Sequence, residues 1–293
     1  MSFESDPCEK IFGMGQYQQE YADLKGCIVE LRQRNSQITI PFYLSNFGYG
    51  FLWNNASIGE AMFGENYTQF TAECTECIDY LVVAGDTPKE IVENYTEVTG
   101  RAPLFPENMM GLWQCKLRYA TQEELLSVAR EYKTRNLPLD VIVIDFFHWT
   151  AQGDWAFDTK YWPDVKGMVD ELHAQGTQVA ISVWPTVDSA ASKNYATMEE
   201  NGWLVRSVCQ QDTMTGTSVF YDAFSENARN FVWEQIKKSY YDVGIKSYWL
   251  DADEPEYHDY EEVRQISYCV GDAIKVSNAY PNQHLQGIYE NLK

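Results

Sequence analysis

The sequence predicts an α/β protein, with an N-terminal β-sandwich portion followed by the first half of a (β/α)8 TIM barrel. Three observations carry that prediction. Short β-branched and aromatic runs, separated by Asn, Gly and Ser turns, fill residues 1–85. Apolar strands and amphipathic helices then alternate through residues 110–293. Finally, Lys246-Ser247-Tyr248-Trp249-Leu250-Asp251-Ala252-Asp253-Glu254-Pro255-Glu256 passes from a buried-strand composition into four carboxylates within six residues. Burying a carboxylate is expensive unless it is paired or hydrogen-bonded. In barrels of this kind the C-terminal ends of the strands carry the chemistry. Taken alone, the acidic run also reads as a solvated loop. Calcium binding is a third reading, but the spacing of an EF-hand loop is absent.

The β-portion runs through Gly13-Met14-Gly15, Cys27–Leu31, Ile38–Leu44, Tyr49–Trp53 and Ile78–Val83. Closely spaced short strands of this type make a sandwich. Thr87-Pro88 opens a helix with proline at its first position, and Gly100 closes it. Ala102-Pro103-Leu104-Phe105-Pro106 is a proline-punctuated linker, so residues 86–109 separate the two domains. Strand Gly111–Cys115 then leads to a helix over Thr121–Thr134, with Thr121 and Glu124 spaced as a capping box. Strand Val141–Ile144 ends at Asp145, and a helix over Lys166–Ala174 follows. Strand Gln178–Val183 ends at Trp184-Pro185, before helices over Ala191–Glu200 and Glu226–Tyr241. The strands show little alternation, as parallel strands covered on both faces should. About four strands are present where a closed barrel has eight and about 250 residues, so the chain is expected to be a fragment.

With 22 Lys plus Arg against 43 Asp plus Glu, the chain carries a formal charge of −21. Such a chain repels phosphate backbones and anionic membranes, so neither nucleic acid nor a membrane is expected as a partner. Aromatic residues make up 15%, including 20 Tyr and 9 Trp, which suits contact with sugar rings as well as core packing. Seven scattered cysteines make a poor disulfide framework. Cys74-Thr-Glu-Cys77 has no second pair and no nearby His for zinc, and is read as structural. The polar, acidic start is no signal peptide, and a cytoplasmic, reducing location follows as the expectation. The sequence does not give the oligomeric state.

Several stretches, in order, resemble glycoside hydrolase family 31. Phe12–Gln16, Ile40–Ser45 and Gly48–Trp53 resemble its N-terminal β-domain. Gly111–Gln114, Ile144–Trp149 with Gly153–Asp158 and Trp162–Asp164, and Ile181–Thr186 resemble its first three barrel strands and the loop after the second. Trp249–Glu256 resembles the nucleophile signature in the form found in α-xylosidase-like members. The resemblance covers nearly the whole chain and implies truncation at both ends.

Family 31 consists of retaining α-glycosidases that use two carboxylates and no cofactor. The resemblance implies that Asp251 is the nucleophile, forming a covalent glycosyl-enzyme. Asp253 is the competing candidate, on the same face if the strand continues. It also implies that Asp145 binds hydroxyls of the reacting sugar and that Trp184 and Trp249 wall its pocket. Phe147 and Arg118 would lie near the rim, and Glu254 would be a supporting acid. His148 reads as a loop hydrogen-bonder. The family's acid/base lies after a later strand. Asp259, Glu261, Glu262, Asp272 and Glu290 match no such motif. The implied substrate is an oligosaccharide with terminal α-linked xylose, or glucose as the runner-up. A non-catalytic carbohydrate-binding remnant is the alternative from another class.

Overall fold

The computed structural model describes residues 1–207, 218–255 and 263–292. Glu256, Asp259, Glu261, Glu262 and Cys209 lie outside the described residues. Two compact units emerge, neither contiguous in sequence. One comprises Met1–Pro103, Ser207–Cys209 and Glu254–Pro281. The other comprises Leu104–Arg206, Gln210–Asp253 and Asn282–Lys293. The change at Pro103 falls inside the proline-punctuated linker. The residues after Asp253, expected with the barrel, instead group with the β-strands as far as Pro281.

The first unit holds strands β1 (Ser2–Glu4), β2 (Ile11–Gln16), β3 (Ile28–Leu31), β4 (Ile38–Ser45), β5 (Tyr49–Trp53), β6 (Gly59–Phe63), β7 (Tyr67–Ala72) and β8 (Tyr80–Ala84). They form two antiparallel sheets, ordered β1-β7-β6-β3 and β2-β4-β5-β8. Ile11, Met14, Tyr43, Phe51 and Trp53 of one sheet bury against Val29, Leu31, Ala61, Phe63 and Phe70 of the other. Alternation along each strand produces that shared core. A bulge between Gly13 and Gly15 shifts the β2–β4 register. Gly15 is at φ +107°, where a Cβ would meet the Ile38 carbonyl oxygen at 2.0 Å, so only glycine fits. Helix α1 (Pro88–Thr99) covers part of the outer face through Ile91, and its Tyr95 stacks on Phe42 at 3.9 Å. Its capping box is complete, with Glu90 N–H donating to Thr87 Oγ1 and Thr87 N–H to Glu90 Oε2, each at 3.2 Å. Asn278 stitches the late segment to this unit by donating to the Leu31 and Ser57 carbonyls at 2.9 and 3.0 Å.

The second unit is built on four parallel strands, ordered β15-β11-β10-β9. These are β9 (Trp113–Gln114), β10 (Val141–Ile144), β11 (Gln178–Val183) and β15 (Ser247–Leu250). Helices α2 (Gln122–Thr134) and α3 (Val165–Ala174) make the first crossovers. Between β11 and β15 lie β12 (Thr186–Asp188), α4 (Tyr195–Glu200), β13 (Arg206–Ser207), β14 (Ser218–Phe220) and α5 (Glu226–Ile236). β16 (Ile266–Tyr268), β17 (Gly271–Asp272) and α6 (Ala273–Val276) fall in the first unit, and most of α7 (Tyr280–Leu292) falls in the second. β10 is buried along its whole length, as its unbroken Val-Ile-Val-Ile composition requires.

Three local expectations are corrected. The capping box of α2 is half formed: Thr121 Oγ1 accepts from Glu124 N–H at 3.2 Å, but the Glu124 carboxylate takes Ala120 N–H and Lys116 instead. Helix α4 begins at Tyr195 rather than Ala191. Asp188 Oδ1 captures the N–H groups of Ala190 and Ala191, and Asp154 Oδ1 captures that of Lys193. These local bonds compete with the helix. The expected helix over Glu226–Tyr241 widens into a π-turn over Lys237–Tyr241, with Asp242 N–H reaching back to the Lys237 carbonyl at 2.9 Å. Among the described residues, no helix is long and apolar enough to cross a membrane.

Candidate active site

Residues two apart on a strand share a face, which places Val143 and Asp145, Ala180 and Ser182, and Ser247, Trp249 and Asp251 on one side of the parallel sheet. The register agrees, pairing Val143 with Ala180, Ala180 with Ser247, and Ser182 with Trp249. This side opens on an apolar cavity of about 530 Å³ whose lining includes Phe105, Trp113, Cys115, Val143, Ala180 and Trp249. Asp145 and Asp251 follow the C-terminal ends of β10 and β15. Asp251 N–H still donates to the Val183 carbonyl at 3.0 Å, so the ladder runs one residue past β15.

Asp145 is buried, with only 6% of its surface exposed. That burial pushes its carboxyl above the ordinary carboxylate range. The Phe146 N–H, donating to Oδ1 at 2.8 Å, opposes the shift, and the negative charge of Asp251 adds to it. The negative charge of Asp251 thus reaches Asp145 across the strand ends. Burial and the same Asp145 charge push the Cys115 thiol up. It stays protonated, with Sγ 3.8 Å from Asp145 Oδ2.

The backbone of Asp145 is held from behind. His148 Nδ1 lies 3.0 Å from the Asp145 carbonyl, and Nε2 lies 2.9 Å from the Tyr240 hydroxyl. A carbonyl only accepts, so Nδ1 carries the proton, and Nε2 accepts from Tyr240. The π-turn delivers Tyr240, which is buried. Burial raises the Tyr240 phenol well above its usual range, so it remains a donor. His148 is thus a positioning residue, which agrees with its reading as a loop hydrogen-bonder.

Aromatic residues gather beside the acids. Phe146 lies 5.4 Å from Trp184, Trp149 lies 6.1 Å from Trp184, and Phe147 lies 4.7 Å from Phe146. The Arg118 guanidinium stands 5.6 Å from the Phe147 ring, a cation–π distance. Trp155 Nε1 donates to the Trp184 carbonyl at 2.9 Å, whereas Trp184's own indole N–H is buried without a partner among the described residues. Phe147 has φ +61° and Ala252 has φ +57°, uncommon values for residues with a side chain. Each sits within two residues of a site acid, where strained backbone tends to collect.

Ala252 also separates the two nucleophile candidates. Its left-handed backbone ends the extended run after Asp251, so Asp253 does not continue on the same face. Asp251 bears on Asp145, whereas Asp253 bears on the buried Tyr221 hydroxyl. The second unit therefore assembles Asp145, Asp251, Phe147, Arg118 and Trp184 around the strand ends, with Trp249 lining the cavity. Glu254 belongs to the first unit, where it lines a separate cavity with Tyr17, Gln18 and Gln37. Sequence reasoning passed over Cys115, Phe146, Trp149 and Tyr240. Only Phe146 and Trp149 carried a signal, as neighbours of Asp145 in an aromatic run. Among the described residues, no group of three or more His, Cys, Asp or Glu is placed to hold a metal ion.

His148 and His284 are both buried, and burial holds each imidazole down at about pH 4. An unfolded imidazole titrates near 6.5, so between pH 4 and 6.5 the unfolded chain binds more protons. Their contribution to stability is complete above about pH 6.5 and is lost as the pH falls toward 4. Each contributes at most roughly 3 kcal/mol, from about 1.4 kcal/mol per pH unit. Asp145, with its raised carboxyl, works in the opposite sense and recovers part of this on protonation. The urea midpoint of the folded protein is expected to drop steeply between pH 6.5 and 4.5. A flat midpoint over that window would contradict neutral, buried imidazoles.

A family model, the Glycosyl hydrolases family 31 TIM-barrel domain, matches residues 102–293. An uncharacterized family 31 glucosidase, ORF2 of Pseudescherichia vulneris, is 50% identical over 294 residues, covering 99% of this chain and 55% of its own length. The alpha-xylosidase of Saccharolobus solfataricus is 35% identical over 306 residues, covering 99% of this chain and 40% of its own. A crystal structure of a GH31 alpha-xylosidase from a soil metagenome, complexed with xylose, superposes with a TM-score of 0.95 at 51% identity. It is matched over 99% of this chain and 43% of that one. The chain thus spans about half the length of the relatives it matches.

Proposed function

The chain belongs to glycosyl hydrolase family 31, and on that premise we propose that it forms the nucleophile-bearing part of a retaining α-glycosidase that removes terminal α-linked xylose from oligosaccharides. The observation that carries this reading is the pair of carboxylates at parallel strand ends, Asp145 buried and charge-coupled to Asp251. Two relatives support xylose over glucose: the alpha-xylosidase at 35% identity and the xylose complex at 51%.

In this reading Asp251 attacks the anomeric carbon as that carbon's bond to the leaving oxygen breaks. The product is a sugar ester on Asp251, which water then hydrolyses with net retention. The leaving oxygen must take up a proton. We propose that the acid comes from further residues of a longer polypeptide, since the relatives extend well beyond the matched length. Asp145 accepts hydrogen bonds from sugar hydroxyls. Trp184, with its unpartnered indole N–H, walls the pocket with Trp249, while Phe147 and Arg118 form its rim. Glu254 is a supporting acid outside the reacting pair.

Replacing Asp145 tests the pocket. Hydrogen bonds to a charged acceptor are worth about 1.5–3 kcal/mol. Asp145→Ala in the whole enzyme should therefore lower kcat/KM by about one to two powers of ten. An unchanged kcat/KM on the best substrate would remove Asp145 from the sugar subsite. Competition between an α-xyloside and the matching α-glucoside decides the sugar, with the larger kcat/KM expected for the xyloside.

A further inference from the structure

The first unit contains two cavities, of about 420 and 440 Å³, that share Tyr17, Gln18, Ser36 and Gln37. Sharing four residues makes them one continuous trough. The end of β2 and the turn between β3 and β4 form its floor, and Glu254 stands at one end. Apart from Glu254, no residue of this surface has a part in the proposed reaction.

The trough has the chemistry of a sugar cleft. Its central ring, Tyr17, is fixed: its hydroxyl donates to the Glu30 carbonyl at 2.7 Å and lies 2.8 Å from Thr39 Oγ1. Tyr21, at the other end, is 57% exposed and offers a ring face. The Gln37 amide N–H₂ is spent on the Arg32 carbonyl at 2.7 Å and on Glu30 Oε2 at 3.2 Å. Gln18, by contrast, is exposed and makes no hydrogen bond among the described residues, so its amide is open to a ligand. The one cation of the lining, Arg34, is paired with Glu30 at 3.0 Å. With that pair neutralised, the lining offers an anion no unpaired cation. Its amides and hydroxyls would leave an apolar ligand facing unmet donors and acceptors. Aromatic faces with open amides suit a neutral polyhydroxylated chain, whose rings present C–H faces and whose edges present hydroxyls.

We propose that this trough of the first unit binds a neutral oligosaccharide chain through Tyr17, Gln18 and Tyr21, residues that the reaction proposed for Asp145 and Asp251 does not use. The trough is read from the first unit alone, while the choice of a sugar as ligand rests on the family reading above.

Calorimetric titration of the whole enzyme, carrying Asp251→Ala to stop turnover, tests this with two probes, a long xyloglucan oligosaccharide and free xylose. Gln18→Ala/Tyr21→Ala is expected to weaken oligosaccharide binding about tenfold, the loss of roughly one ring contact and one hydrogen bond. Xylose affinity should not change, and Tyr21→Phe, which keeps the ring, should retain most of the oligosaccharide binding. Both residues are exposed, so an unchanged unfolding midpoint confirms that the fold is intact. Oligosaccharide binding that is absent, or indifferent to the double substitution while xylose still binds, overturns the trough and leaves the family reading standing. Oligosaccharide binding weakened by the double substitution with no xylose binding upholds the trough and counts against the Asp145 pocket.

Discussion

Replacing Asp251 by alanine in the whole enzyme is expected to collapse kcat by about 10⁴–10⁶-fold, the range seen when single members of a covalent catalytic unit are removed, while substrate still binds. The proposed assignment has Asp251 form and break a covalent bond, whereas Asp145 and the aromatic walls only hold the sugar. Binding that does not depend on the reacting bond should survive the substitution. The same assignment requires that an activated fluoro-sugar, which forms the ester faster than water clears it, leave its mass on the peptide containing Asp251 and not on the alanine variant. Near-normal turnover in Asp251→Ala, with loss in Asp253→Ala, would move the nucleophile by two residues. The left-handed backbone at Ala252 and the separate neighbourhood of Asp253 at Tyr221 argue against that outcome.

The second large effect concerns residues 1–293 expressed alone. They are expected to be poorly soluble and without activity on unactivated α-xylosides. Trp113 and Trp249 line the cavity of the parallel sheet with 41% and 44% of their surfaces exposed. In the sheet order, β9 and β15 each have one neighbour. Unpaired strand edges beside exposed aromatic rings are templates for association. On the proposal that the acid lies in further residues, a folded fraction would be without it, and loss of positioned proton transfer typically costs about 10²–10⁴-fold in rate. An aryl glycoside with a good leaving group needs little protonation and is the substrate on which residual turnover would be found. Monodisperse protein that hydrolysed a natural α-xyloside would refute the proposal that the acid lies in further residues.

Much of this was legible because the determinants are local. Val141–Ile144 followed by Asp145 announces a buried strand ending in a charge, and Thr87-Pro88 with Glu90 announces a capped helix. The β6–β7 hairpin was not seen, because Gly59-Glu60-Ala61-Met62-Phe63 and Tyr67–Ala72 carry polar residues on their outer face. Their apolar signal is reduced to Ala61, Phe63 and Phe70. The short β12 and β14 become strands only by pairing with each other, a contact that neither segment encodes alone. Within the site, the two acids and the flanking tryptophans could be named from the sequence. The Cys115 contact, the left-handed Phe147 and the Tyr240 partner could not. Each arises from backbone geometry or from packing between segments far apart in the chain. The joining of Asn278 to the β-strands has the same origin, through its bonds to the distant Leu31 and Ser57 carbonyls.

The link from Asp145 through His148 to Tyr240 depends on a bond between His148 and Tyr240, 92 apart in sequence, and this bears on the order of folding. Local turns and helices close early, because little chain entropy is lost in bringing near neighbours together. Nothing near Asp145 in sequence fixes the His148 ring at its second nitrogen. That restraint arrives only when the widened end of α5 has docked. The support behind the Asp145 backbone is therefore completed late, after the strand that carries this acid has formed. On a nascent polypeptide the strand bearing Asp145 emerges well before the tyrosine that completes its support.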